Sequence, residues 1–520
     1  MMLARKTLIS VSLRLCVFAA VIVSMSCSSK PTNLRLLAPA DSLVYLETND
    51  LGAALQPIVD SKGFNEAAKS RPDLSALNGV QLAVVVTGFE TSEEQINQES
   101  SVLNFKAHFV AVADTHAWQW QANSFAENQL GEFINKIYGG GVQLDTSAKN
   151  GGTEYVWTAE DGRKAFGFVT GALIFFGNDE SSIEKVQAVR RGEADSIAKV
   201  GKLPTGEGNL AIGYVSTDGI GQLANIIGAQ KAKESGEDSE VQSFVARVLP
   251  QLLRGAVTGA TWAAKKTDQG IEDKLELTLN GDIASIFNET MAPTDGVDKS
   301  MMDLAPSDAA TVTQYNLKNP QIAWRSVILS IQKLTDPASG KIMSAFSDSF
   351  FEPYGIKNGE AFLGSVSPNI LTVKYDDEDD VAVIARATDQ KQLTAALDAD
   401  TTKSPGSFVQ INEPGLENVD LIGKAEIVAK CTQAHQGGAS LLKQPFDLAP
   451  GNSIPAVRTL GLDHDSAALI AGVLNERKSE DVAPSSRYIV ETRFNKTGME
   501  RRLISEFGLI GSIITMLDSE

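Results

Sequence analysis

"LAPADSLVYLETN" (37–49) returns about 270 positions later as "LAPSDAATVTQYN" (304–316). Each copy has Leu-Ala-Pro, one variable residue, Asp, and an alternating run closed by Asn. Proline holds φ near −65° and Asp bonds nearby backbone, so the motif predicts a turn leading into a strand. The next elements are parallel in both copies. Residues 51–70 and 318–350 are expected as helix, with apolar positions such as Ala53, Leu55 and Ile58, or Val327, Ile331 and Leu334. Strands come next: "VQLAVVVTGFE" (80–90) in one copy, "EAFLGSVS" (360–367) and "ILTVKY" (370–375) in the other. Each half then offers a strand that runs into a helix, "HFVAVADT" (108–115) and "VAVIARAT" (381–388). This shared order of elements predicts a duplicated domain.

The rest of each half adds adjacent strands. "EYVWTAE", "KAFGFVTG" and "ALIFFGN" read as a meander bounded by turns, and "SSIEKVQAVRR" as a helix opened by Ser181 and Glu184 at capping-box spacing. "GATWAAKKTDQGIEDKLELTLNG" (259–281) reads as a hairpin, with period-two alternation at Leu275, Leu277 and Leu279. In the second half "SAALIAGVL" (466–474) and "RYIVETRF" (487–494) are expected as strands. A helix is expected from about Gly498 to Leu517, with Leu503, Phe507, Ile510, Ile514 and Leu517 on one stripe. Hairpins dominate, with helices between groups of them. The fold class is therefore α+β: two related domains, each a largely antiparallel sheet with helices packed on one face.

The N-terminus carries Arg5 and Lys6, then Arg14, then an apolar run from Leu15 to Met25. That run is shorter than the ~20 residues that span a bilayer and suits a secretory leader. Ser26 precedes Cys27, and polar, Pro-containing chain comes after it. A small residue directly before cysteine resembles the lipobox of bacterial lipoproteins, although Ser24 and Met25 stand where a Leu or Val and a small residue are usual. The resemblance implies cleavage before Cys27 and acylation of its thiol. The absence of Asp at Ser28 implies release to the outer membrane. A plain cleaved secretory signal and an uncleaved anchor are the other readings. The expected layout is a signal peptide over 1–26, a tether over 27–36, a first domain over 37–295 and a second over 296–520.

The net charge of −19 argues against nucleic acid or anionic headgroups as partners bound by charge alone. Of the three cysteines, Cys16 lies in the leader and Cys27 at the cut, which leaves Cys431 without an intrachain disulfide. Cys431 and His435 have the spacing of a ligand pair on one helical face, but "AEIVAKC" reads as strand and no second pair stands nearby.

Chemistry has few candidates among four histidines. His464 with Asp463, in "LGLDHDSAAL" (460–469), would supply a general base if that segment turns, and the ordinary reading is a polar loop. No metal site is expected. The nearest to one is "YDDEDD" (375–380), whose Asp376, Asp377, Asp379 and Asp380 lack EF-hand spacing and suit a solvated hairpin tip. "VSTDGIGQLANIIG" (215–228) has the Gly219-x-Gly221-x-x-Ala224 form of a dinucleotide turn, without the acidic strand end that should come after it, so no cofactor is expected. Trp118 and Trp120 are a candidate binding pair, with packing against the sheet as the bland alternative.

The Leu-Ala-Pro-x-Asp openings, the twofold layout and the leader together resemble a class of uncharacterised bacterial exported lipoproteins with repeated α+β domains. That resemblance implies no activity and transfers no functional residue. The expected function is a non-enzymatic cell-envelope lipoprotein, lipid-anchored to the outer membrane and facing the periplasm, that acts as a binding or scaffold module toward a protein or lipid partner. The alternatives are a periplasmic lipid or peptide carrier with an apolar groove, and an envelope hydrolase using Asp463 and His464.

Overall fold

The computed structural model describes residues 32–95, 101–200, 203–234, 239–294, 301, 305, 309–374, 381–397, 408–411, 419–422, 457–463, 466–474, 476–478 and 486–515. It is an α+β structure built on one antiparallel sheet. The strands of the first half are β1 (Val44–Thr48), β2 (Gln81–Gln95), β3 (Ser101–Asp114), β4 (Gln143–Lys149), β5 (Gly152–Thr158), β6 (Lys164–Thr170), β7 (Leu173–Gly177), β8 (Ala211–Val215), β9 (Val257–Thr267) and β10 (Gly270–Leu279). Those of the second half are β11 (Thr311–Asn316), β12 (Val366–Lys374), β13 (Val381–Ala387), β14 (Phe408–Ile411), β15 (Val419–Ile422), β16 (Val457–Asp463), β17 (Ser486–Asn495) and β18 (Gly498–Ser505).

Pairing sets the order. One arm runs inward from its edge as β4, β5, β6, β7, β3, β2, β1, β8, β9, β10. β10 then pairs with β18, and the other arm runs outward as β17, β16, β11, β12, β13, β15, β14. Lys274 faces Arg502 at the join. Gly270 and Gly498 open the two joining strands at matching distances from that pair, each with positive φ, 126° and 152°. Outward from the join, both arms offer a hairpin, then the strand before a helix, then the strand that comes after the Leu-Ala-Pro-x-Asp sequence, then two more antiparallel strands.

The outer part of the first arm is covered on both faces. Leu82, Phe109 and Ala111 point to one side, where Leu55 and Ile58 of helix Leu51–Asp60 and Phe125 of helix Gln119–Phe125 meet Trp157 and Phe176. Ala83, Val85, Val110 and Val112 point to the other, beneath Ile183 and Val186 of helix Glu180–Arg190. This is the period-two alternation of a sheet buried on both faces. A second core around Tyr315, Trp324, Phe351, Phe362 and Val383 lies in the second arm.

The halves exchange helices. After β10, helix Gly281–Thr290 sends Phe287 against Phe494, ring centroids 5.2 Å apart, and toward the second half's core. After β18, Phe507 and helix Gly508–Thr515 enter the first half's core, together with Ala467, Ile470 and Ala471 of helix Ser466–Leu474. Backbone bonds Lys69 N–H to Glu476 O and Lys478 N–H to Ala67 O, each 2.8 Å, reinforce that contact.

Several sequence expectations need correction. Helices cover both faces of the first arm rather than one, and the helices expected over 51–70 and 318–350 are each broken, into Leu51–Asp60 and Lys62–Ala67 and into Pro320–Leu334 and Pro337–Ala345. Gly498–Ser505 is a strand, not the start of a long helix. Asn495 Oδ1 accepts the N–H groups of Thr497 and Gly498 at 2.9 and 3.0 Å, which folds the chain back on β17, and the new strand is paired on both edges. Among the described residues of that stretch, only Gly508–Thr515 is helical. Ser466–Leu474 is a helix rather than a strand, because an unbroken apolar run carries no period and packing decides it. Gly359–Ser365 is likewise a helix, opened by Asn358, whose side chain accepts Ala361 N–H at 2.7 Å. Helix Glu180–Arg190 is capped by Asp179 and not by Ser181.

Candidate functional site

β2 begins at Gln81 and β3 ends at Asp114, and the two residues are paired neighbours at one end of the sheet. Both are polar yet buried, 2% and 4% exposed, and a buried polar group must be bonded. Their partner is Thr32. Gln81 accepts the Thr32 N–H at 2.9 Å and donates to the Thr32 carbonyl at 3.1 Å. The Thr32 hydroxyl donates to Asp114 Oδ2. Asn33 then caps the 3-10 turn Leu34–Leu36. Leu34 and Leu37 enter the core beside Tyr45 and Val85, and Arg35 pairs with the buried Glu47 at 2.7 Å. Within the stretch expected as a tether, the residues from Thr32 onward are thus fastened to the body.

Asp114 also organises the chain beyond β3. Its Oδ1 accepts the His116 N–H at 2.9 Å, and His116 takes a φ of 51°, which turns the chain sharply. Trp118 comes next as the N-cap of helix Gln119–Phe125. Asp50, Asp179, Asn319 and Asp389 hold the same position on other helices and each accepts a backbone N–H. An indole has no acceptor, so Trp118 forgoes a cap worth about 1 kcal/mol. Gln121 partly compensates by accepting the Trp118 N–H at 3.0 Å. Trp118 and Trp120 are 67% and 69% exposed, the most exposed large apolar side chains among the described residues. They do not pack on the sheet. Ala122 and Phe125 do that for the helix.

Of the other residues named from the sequence, Cys27, Cys431, His435, His464, Asp376, Asp377, Asp379 and Asp380 lie outside the described residues. Asp463 is the last residue of β16, paired with Ser486, and its side chain is likewise outside them. Gly219 is explained by packing. A Cβ there would stand 2.1 Å from the Leu43 carbonyl oxygen, and its N–H is taken by Ser216 Oγ. Among the described residues no group of three or more His, Cys, Asp and Glu side chains is placed to hold a metal ion. A cleft of about 540 Å³, open to solvent, is lined by Asn225, Arg247, Gln251, Arg254 and Leu334. A small apolar cavity beside Tyr315 and Phe362 measures about 30 Å³, room for one or two waters.

The Thr32 clamp was not anticipated from sequence. Its only local signal is a polar residue at each end of an apolar strand pair, Gln81 before "LAVVV" and Asp114 after "FVAVA". Compared with known proteins, the chain matches no family model, no curated protein and no solved structure. Among the described residues no helix is long and apolar enough to cross a membrane.

Proposed function

We propose that this chain is a bacterial cell-envelope lipoprotein, held to a membrane by acylated Cys27, whose α+β body serves as a binding or scaffold module rather than an enzyme. The observation that carries the reading is the leader ending at Ser26-Cys27 together with the fastening of Thr32, five residues later, into the end of the sheet. A short chain between lipid and a fixed point of the fold suits a body held close to its membrane. The mirrored strand order about Lys274 and Arg502 supports a duplicated domain as the origin of that body.

Replacing Cys27 by Ser tests the address. The wild-type chain should fractionate with envelope membranes and carry the mass of diacylglyceryl and acyl groups. Cys27→Ser should move to the soluble fraction. A wild-type protein without lipid mass, or a serine variant that stays in the membrane fraction, would overturn the proposal.

A further inference from the structure

We infer that Trp118 and Trp120 are a second membrane contact of this protein, seated in the interface of the same leaflet that holds the lipid on Cys27. The inference rests on the lipid anchor proposed above and adds a lipid-facing surface to it.

Position carries the argument. Asp114 holds Thr32 through its hydroxyl and, through the His116 N–H, the turn that leads to the tryptophans. Thr32 lies five residues beyond Cys27, so even fully extended chain places its Cα no more than about 18 Å from that of the acylated cysteine. Trp118 lies four residues beyond Asp114, at most about 14 Å of chain. The anchor therefore keeps this end of the sheet next to the headgroups.

Chemistry agrees with position. Tryptophan concentrates at membrane–water boundaries because its ring is apolar while its N–H stays hydrated. From Thr115 to Ala126 there is no Asp, Glu, Lys or Arg, although the chain as a whole carries a net charge of −19. Such a stretch meets no charge repulsion from headgroups and suits a zwitterionic surface. The use of Trp as an N-cap sacrifices a helix cap that other helices of this fold retain. Local preference overridden at an exposed position points to an external partner.

The test uses the full lipidated chain in phosphatidylcholine–phosphatidylethanolamine vesicles whose acyl chains carry bromine, a quencher of indole fluorescence. The other tryptophans, Trp157, Trp262 and Trp324, are buried at 1%, 6% and 3% exposure, so quenching reports the exposed pair. Two of five tryptophans should lose their emission relative to unbrominated vesicles, and the double variant Trp118→Gln, Trp120→Gln should show no such loss. Both sites are exposed, and an unchanged urea midpoint will show that the variant folds.

The inference is overturned if the wild type carries its lipid and floats with vesicles but is not quenched, an outcome that leaves the lipid anchor standing. A chain without lipid mass overturns both. A blue shift that depends on protein concentration without vesicles would assign the pair to a second copy and likewise overturn it. Quenching that persists in Cys27→Ser supports the membrane contact independently of the lipid.

Discussion

Asp273 accepts a 2.7 Å hydrogen bond from the backbone N–H of Leu509, 236 positions further along the chain. Its other oxygen accepts the Trp262 indole N–H, also at 2.7 Å. One buried carboxylate on β10 thus holds both a core tryptophan and the start of the helix that the second half lends to the first. Asp273→Ala leaves both donors unpaired and should destabilise by about 2–4 kcal/mol in urea unfolding. Amide exchange across Gly508–Thr515 should rise with it.

The same residue gives a pH signature. Burial raises the Asp273 carboxyl to about 6, against the lowering effect of its two donors. The folded value lies above the unfolded one, so this group's contribution is complete below about pH 3.8 and is lost as pH rises through 6. Asp273→Asn removes the titration. Measured against that variant, the wild type should lose on the order of 2–3 kcal/mol of relative stability between about pH 3.5 and pH 7. A constant difference between the two would contradict the assignment.

Gly270 and Gly498 should be intolerant of any side chain. Beyond their positive φ, a Cβ would stand 2.4 Å from the Ser505 carbonyl oxygen in one case and 2.0 Å from that of Leu277 in the other. Backbone cannot yield as a side-chain tip does. Gly270→Ala and Gly498→Ala should each cost about 2–4 kcal/mol, read as a lowered urea midpoint. Gly162→Ala, which meets open space at a positive φ of 85°, should cost about 1 kcal/mol.

Arg35→Ala should be costly because it strands Glu47, whose side chain is only 6% exposed, beside the buried Tyr45. The expected loss is about 3 kcal/mol. The arginine also donates to the Pro204 carbonyl at 2.8 Å. Amide exchange of Leu34–Leu37 should accelerate in the variant, since this pair fastens the turn just after Thr32.

The two halves should not fold separately. Residues 27–295 alone lack Ala467, Ile470, Phe507 and Ile514 from their core, and residues 296–520 lack Phe287 and Met291. Each fragment should show exposed apolar surface by dye binding, and mixing them should restore cooperative unfolding. Two independently cooperative fragments would refute the exchange.

Much of this fold was legible because its signals are local. Pro39 and Asp41 announce a turn before β1, and the alternation at Leu275, Leu277 and Leu279 with "TDQG" specifies the β9–β10 hairpin. The misreadings have one cause. Leu503, Phe507, Ile510 and Ile514 fit a helical stripe, but Leu503 belongs to a strand and pairs with Asp273 across the join. Ser466–Leu474 is apolar throughout and has no period to read. At the candidate site, Trp118 and Trp120 stand out in sequence, whereas their link to Thr32 runs through Asp114, which is ordinary as a letter.

By itself the sequence determined the class: antiparallel hairpins alternating with capped helices in two parallel passages, because turn chemistry and side-chain period act over a few residues. Only the tertiary structure decided that β10 meets β18, that each half completes the other's core, and that the tryptophans face outward just beyond the residue that holds Thr32. Those outcomes depend on contacts between residues from about fifty to more than two hundred positions apart, and no local propensity encodes which distant strand will satisfy an open edge.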